Sequence, residues 1–82
     1  MTASPINRDR ADWAKLALTA FTAETYCGDH PDAMHPGDLE CAIGDLIADL
    51  LHFAAQQGFD PGELLGRAHE HFQAEAAEEA RP

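Results

Sequence analysis

Apolar residues recur along this chain at spacings of three and four, which is the period of an amphipathic helix. The clearest segment runs from about residue 39 to 57, where the apolar side chains occupy an arc of roughly 160° at about 100° per residue. The members of this arc are Leu39, Ile43, Leu46, Ile47, Leu50, Leu51, Phe53 and Ala54. Gly58 follows directly, at the position where helices often end in glycine. An arc this wide predicts a central helix that meets two neighbours.

The start of this central helix has two candidates. Asp38 is a reasonable N-cap, because its carboxylate can accept a hydrogen bond from the first turn. His35 followed by Pro36 is the rival start, since proline is favoured at the first helical position.

A first helix is predicted over residues 7–27, with Asn7 as its N-cap and Gly28 just beyond its end. Residues along one side of it recur at spacings of three and four, and we expect this side to face the core. They are Trp13, Leu16, Ala17, Ala20, Phe21, Glu24 and Cys27. Glu24 lies at the edge of the stripe near the helix end, where its carboxylate can reach water.

A third helix is predicted over residues 61–78. It begins at Asp60-Pro61-Gly62-Glu63, which combines a capping acid, a proline at the first helical position and a carboxylate three residues after the cap. Its apolar stripe is Leu64, Leu65, Ala68, Phe72 and Ala76.

These elements predict an all-α fold, because the chain lacks valine and no stretch alternates apolar and polar residues as a strand would. Three residues separate the second and third helices, so they should form an antiparallel hairpin. The first helix can close a small three-helix bundle. Alternatively, two hairpins pair as a dimer, which would cover the wide apolar arc. Residues 1–6 are expected to be a flexible lead-in, residues 7–78 a single domain and residues 79–82 a frayed tail.

Charge narrows the classes of partner. The formal net charge is −10, and residues 16–66 contain nine acids and no lysine or arginine. Such a stretch argues against direct binding to nucleic-acid phosphates. It suits a protein partner with a basic groove, a divalent cation, or solubility alone. No apolar run could cross a membrane and no secretion signal is visible, so a cytoplasmic location is expected.

Polar residues gather on the side of the central helix opposite its apolar arc. Asp45, Asp49 and His52 are spaced i, i+4 and i+7, which stacks them along one face. Hard cations such as Mg²⁺ bind several carboxylate oxygens at once, so this face is a candidate metal site. The alternative is a solvated polar face. We therefore consider these residues first as a protein-interaction surface, which consists of Asp38, Glu40, Asp45, Asp49 and His52.

Residues 38–75 carry a resemblance to a known family. The string DLECAIGDLIADLLHFAAQQGFDPGELLGRAHEHF resembles the helical hairpin of the MazG-like, all-α nucleotide pyrophosphohydrolases, and is also similar to short hypothetical proteins of phages and plasmids. In the MazG-like family, a Glu-Glu-x-x-Glu element on one helix and a Glu-x-x-Asp element on the next hold Mg²⁺, and water attacks the metal-bound nucleotide phosphates.

The resemblance maps only some of those acids onto this chain. Asp45 matches the final Asp of the second element, but Ala42 stands at its Glu position. Glu24 matches the last Glu of the first element, with Ala20 and Phe21 at the other two acidic positions. Asp49, one turn beyond Asp45, could partly compensate. The resemblance therefore implies either a magnesium-dependent pyrophosphohydrolase using Glu24, Asp45 and Asp49, or a relative that keeps the hairpin and has lost the chemistry.

A candidate zinc set spans the loop between the first two helices: Cys27, His30, His35 and Cys41. Two thiolates and two imidazoles can bind Zn²⁺ tetrahedrally, and the loop is short enough to fold around an ion. In the alternative interpretation, Cys27 ends the first helix and Cys41 lies in the first turn of the second.

The leading hypothesis is a small, acidic, non-catalytic protein that needs no cofactor and binds a protein partner through acidic and apolar helix surfaces. The resemblance to phage and plasmid proteins suggests an accessory factor of a phage or mobile element. Such a factor could inhibit a host defence or nucleic-acid-handling complex by placing its acids in a groove meant for phosphate. The rivals are nucleotide pyrophosphate hydrolysis with Mg²⁺ and a small helical protein stabilised by Zn²⁺.

Overall fold

The structure is a computed structural model that describes residues 6–80. It contains three α-helices, α1 (Asn7–Thr25), α2 (Pro36–Gln56) and α3 (Pro61–Glu79), and a 3-10 turn at Pro31–Ala33. Residues 6–80 contain no β-strand. The predicted all-α, three-helix architecture is therefore confirmed. Residues 1–5 of the expected lead-in and residues 81 and 82 of the expected tail lie outside the described residues.

The helix starts follow their capping residues. α2 begins at Pro36 with His35 as its N-cap, and the His35 Nδ1 accepts a hydrogen bond from the Gly37 N–H at 3.1 Å. The rival start is thus correct and Asp38 as N-cap is wrong, because a proline at the first position needs no N–H partner and leaves Asp38 within the first turn. α3 begins as predicted, with Asp60 Oδ1 accepting from the Glu63 N–H at 3.1 Å.

α1 begins one position earlier than its predicted cap implied and ends two residues before its predicted end. Its N-cap is Ile6, and Asn7 is the first helical residue, so the prediction of Asn7 as the N-cap is wrong. The helix stops at Thr25 because Cys27 and Gly28 adopt φ angles of 53° and 82°, which lie outside the right-handed helical region. Cys27 is therefore in the loop and not in the predicted helix.

The other helix ends match the predictions to within one residue. Gly58 has a φ of 85° just after α2, and the Phe59 N–H donates to the Ala54 carbonyl at 3.0 Å, which is the hydrogen bond of a glycine-terminated helix. α3 continues to Glu79, one residue beyond its predicted end.

The core of the described chain is small. Five residues are buried, and they are Leu18, Thr22, Pro31, Ala42 and Ala54. The prediction of which side of α1 faces inward is wrong. Leu18 and Thr22 are buried, whereas Trp13 and Leu16 are 58% and 71% exposed. The buried residues of α2 are both alanines, Ala42 and Ala54.

α3 has no buried residue, and several polar contacts join it to α1. The Asn7 side-chain amide donates to the Glu75 carbonyl at 3.0 Å, and the Asn7 N–H donates to Glu79 Oε1 at 2.5 Å. Arg10 pairs with Glu75 (Nε to Oε2, 3.0 Å) and also donates to Asn7 Oδ1 at 2.8 Å. This cluster, Asn7, Arg10, Glu75 and Glu79, is the α1–α3 clasp. No helix between residues 6 and 80 has both the length and the apolarity to cross a bilayer.

Candidate interaction surfaces

Four of the five predicted interaction residues share one side of α2. At about 100° per residue they fall within an arc of roughly 60°, and all four are exposed. They are Asp38, Asp45, Asp49 and His52, which we call the acidic stripe. Glu40 is also exposed but lies roughly 150° away around the helix axis, so it belongs to another surface.

The acidic stripe is connected to the end of α1 through Tyr26. The Tyr26 hydroxyl donates a hydrogen bond to Asp45 Oδ2. This hydrogen bond to Asp45 raises the pKa of Tyr26 to about 12, with smaller contributions from desolvation and from the negative charges of Asp45, Cys41 and Asp38. The phenol therefore stays neutral beside the acidic stripe and fixes the position of one carboxylate.

The candidate magnesium residues are not assembled into one site. Glu24 is exposed on α1, where it reaches water as expected, and Asp45 accepts the hydrogen bond from Tyr26. Ala42, at the position where the expected resemblance implied a metal-binding Glu, is 0% exposed. Within residues 6–80, no three His, Cys, Asp or Glu side chains are grouped to hold a metal ion.

The candidate zinc residues are likewise separate in the described part of the chain. His30 Nδ1 accepts from the Asp32 N–H at 3.1 Å, and His35 Nδ1 accepts from the Gly37 N–H, so each imidazole caps the turn that follows it. Cys27 and Cys41 are free, exposed thiols. The histidines of this loop thus have a structural use as helix caps.

A second surface, which sequence reasoning did not identify, is an apolar groove between α1, the 3-10 turn and α2. Its volume is about 590 Å³. The lining residues are Ala11, Ala14, Lys15, Leu18, Pro31, Asp32, Leu39, Ile43, Leu46, Ile47 and Leu50. Only two of them are charged, and these pair with each other: Lys15 Nζ lies 2.6 Å from Asp32 Oδ1. The hydrogen bond from Lys15 lowers the pKa of Asp32, so this pair stays ionised and self-compensated.

Part of the predicted apolar arc of α2 forms one wall of this groove. Ile43, Ile47 and Leu50 remain 46%, 44% and 57% exposed, although they were expected to pack against neighbouring helices. The width of the arc was the sequence signal for this surface. Only the position of α1 determines which part of the arc stays uncovered.

The two surfaces lie on different sides of α2, with their centres roughly 140° apart around the helix axis. One carries carboxylates and the other is almost entirely apolar, so they suit different partners. Comparisons with protein-family models, with curated proteins and with solved structures found no match to this chain.

Proposed function

We propose that this chain is a small non-catalytic interaction protein that binds a basic protein partner through the acidic stripe. One observation carries the proposal: Asp38, Asp45 and Asp49 are exposed together on one side of α2, in a stretch of the chain without lysine or arginine. Uncompensated carboxylates of this kind attract a basic surface over long range and accelerate association.

The local structure supports recognition by a rigid surface. Asp45 and Asp49 are four residues apart, which spaces their positions by about 6 Å along the helix axis. Tyr26 holds the Asp45 carboxylate in place, so less side-chain entropy is lost when a partner binds. A helix that presents carboxylates in a fixed row can substitute for phosphates in a basic groove.

The specific form of the proposal follows from the resemblance to short phage and plasmid proteins. In this form the chain is a cytoplasmic accessory factor of a phage or mobile element, and it inhibits a host defence or nucleic-acid-handling complex. The acidic stripe then occupies the groove where that complex binds nucleic acid. Inhibition is by occupancy, so it requires no reaction and no cofactor.

The test is capture of a partner by the immobilised chain from an extract of the host, followed by binding measurements on the purified partner. The double variant Asp45→Asn/Asp49→Asn removes two charges from the acidic stripe. Glu70→Gln/Glu78→Gln removes two exposed charges from α3 and is the matched control. We expect the stripe variant to weaken binding at least about tenfold and to reduce its salt dependence, and the control to change it by less than about threefold.

Competition with duplex DNA or RNA tests the specific form. The nucleic acid should displace this chain from its partner, because both occupy the same basic groove. Equal losses for the stripe variant and the control would show that only total charge matters, and would contradict the proposal. So would a captured partner whose binding is insensitive to salt.

A further inference from the structure

The chain exposes more surface than a self-contained protein of its size. Its accessible surface is 6595 Å², whereas a folded monomer of 8.9 kDa should expose about 4,800 Å². Its radius of gyration is 14.7 Å, compared with about 11.7 Å for a compact domain of this length. Both measures indicate helices that are not fully closed around one core.

The excess of accessible surface is large enough to form an interface with another protein. If the seven residues outside the described range were fully exposed, they would account for about 1,100 Å². About 1,000 Å² of excess then remains over the area expected for the other 75 residues. A stable protein–protein interface buries about 800 Å² on each partner. The described helices therefore leave enough surface for one such interface.

The apolar groove is the best place for that interface. On α2, no charged residue lies on the roughly 100° of helix surface that faces the groove. The outer side of α1, with Trp13 and Leu16, is the competing apolar surface, but Asp9 and Glu24 lie on that same side of the helix. An interface there would desolvate carboxylates, which is costly without partners.

We propose that the apolar groove is covered by a second copy of this chain. The surface is self-complementary, because it offers both a ridge (Ile43, Ile47 and Leu50, at i, i+4 and i+7) and the adjacent groove that such a ridge fills. A two-fold axis near Ile43 and Ile47 would pair the α2 helices in antiparallel fashion, so that each ridge enters the groove of the other copy. The lining spans Leu39 to Leu50 on α2, and this axis lies near its middle.

The positions of the charges are compatible with this arrangement, although the net charge opposes association. Each copy carries a net charge of −10, so two copies repel each other at long range. The acidic stripe lies roughly 140° from the groove, so it points away from the two-fold axis and remains accessible to another partner. The lining charges, Lys15 and Asp32, neutralise each other. Salt should therefore strengthen the dimer, whereas it should weaken binding of a basic partner to the acidic stripe.

Sedimentation equilibrium of the full chain tests the proposal. We expect a mass of twice 8.9 kDa, with dissociation shifted to lower protein concentration as salt is raised. Ile47→Lys should give a monomer, because it places an unpaired charge in the interface. Leu16→Lys, with the same change in charge on the outer side of α1, should remain a dimer. The single Trp13 should stay accessible to a polar fluorescence quencher in the dimer.

A cross-linking experiment covers the case in which Ile47→Lys fails to fold. In a background of Cys27→Ser and Cys41→Ser, Ile47→Cys should give a covalent dimer with a short bis-maleimide, and Leu16→Cys should not. A wild-type monomer at all salt concentrations would overturn the proposal. So would an Ile47→Lys dimer, or cross-linking through Leu16→Cys instead of Ile47→Cys. None of these outcomes depends on whether the acidic stripe binds a basic partner, so the two proposals fail separately.

Discussion

The hydroxyl of Tyr26 donates a hydrogen bond to the carboxylate of Asp45, and this contact joins the C-terminal end of α1 to the middle of α2. It is also where the acidic stripe meets the rest of the bundle. Because the carboxylate accepts from the protonated phenol, the folded protein holds the phenol proton more tightly than the unfolded chain does.

The ionisation of Tyr26 is a direct test of this contact, since the chain has a single tyrosine. Ultraviolet absorbance should show tyrosinate forming with a pKa of about 12 in the wild type. The pKa in Asp45→Asn should be lower, because the negative charge next to the phenol is removed. Circular dichroism at each pH checks that the protein is still helical. A wild-type midpoint at the usual tyrosine pKa of about 10 would show that the hydrogen bond does not persist in solution.

The same contact predicts how stability depends on pH. A group whose pKa is raised on folding stabilises the protein fully below its unfolded pKa of about 10, and this contribution is lost as the pH rises towards 12. The urea midpoint of the wild type should therefore fall over this window. In Tyr26→Phe the fall should be smaller, because the variant has no phenol to ionise. Equal falls in both proteins would assign the effect to other groups.

The α1–α3 clasp should control the stability of the end of α3. Asn7→Ala removes the side-chain hydrogen bond to the Glu75 carbonyl, and should lower the free energy of unfolding by about 1 kcal/mol. Hydrogen exchange of the amides in the last two turns of α3 should become faster. Arg8→Ala, an exposed substitution in the same turn of α1, is the control and should change neither measurement. Unchanged exchange in Asn7→Ala would mean that apolar contacts hold α3.

Local signals in the sequence predicted the helices well. His35-Pro36 and Asp60-Pro61 mark the starts of α2 and α3, and Gly58 marks the end of α2. These signals act within one turn, through hydrogen bonds to nearby N–H groups or through a positive φ. They therefore do not depend on how the helices pack. The exposed side of α2 that carries Asp45 and Asp49 was predictable for the same reason, because helical spacing alone places them together.

The orientation of α1 could not be predicted in this way. The larger side chains of Trp13 and Leu16 suggested one inward side, but Leu18 and Thr22 are the residues buried against the rest of the protein. Hydrophobic periodicity records how apolar a side is, and not which part of it a neighbouring helix covers. The apolar groove was missed as a consequence, since it exists only because α1 leaves the wall that contains Ile47 uncovered.

Substitution of alanine for glycine should change the stability of the protein in opposite directions at Gly58 and Gly66. Gly58 has a φ of 85°, a conformation that a Cβ disfavours, so Gly58→Ala should destabilise the protein by about 1 kcal/mol. Gly66 lies within α3, and nothing is within 4 Å of an added Cβ, so Gly66→Ala should stabilise by about 0.5–1 kcal/mol. Urea unfolding at one fixed protein concentration measures both. Stabilisation by Gly58→Ala would show that Gly58 does not end α2 with a positive φ in solution.

A substitution at Ala42 can test whether this position is a packed helix contact or the remnant of a metal-binding site. The MazG-like resemblance places a metal-binding Glu at this position, but the Ala42 side chain is 0% exposed. Ala42→Glu should therefore destabilise the protein by at least about 2 kcal/mol, because it buries a carboxylate and overfills the contact. Ala48→Glu, on the exposed side of the same helix, should change stability by less than about 0.5 kcal/mol.

The pH and metal dependence of Ala42→Glu complete the test. Burial raises the pKa of a carboxyl group in the folded state, so the loss of stability should be smaller near pH 4, where the group is protonated, and larger at neutral pH. Mg²⁺ at neutral pH should not restore stability, because Glu24 is exposed on α1 and the Asp45 carboxylate accepts the hydrogen bond from Tyr26. Recovery of stability with Mg²⁺ in Ala42→Glu, but not in Ala48→Glu, would instead show that the hairpin retains the geometry of a metal-binding site.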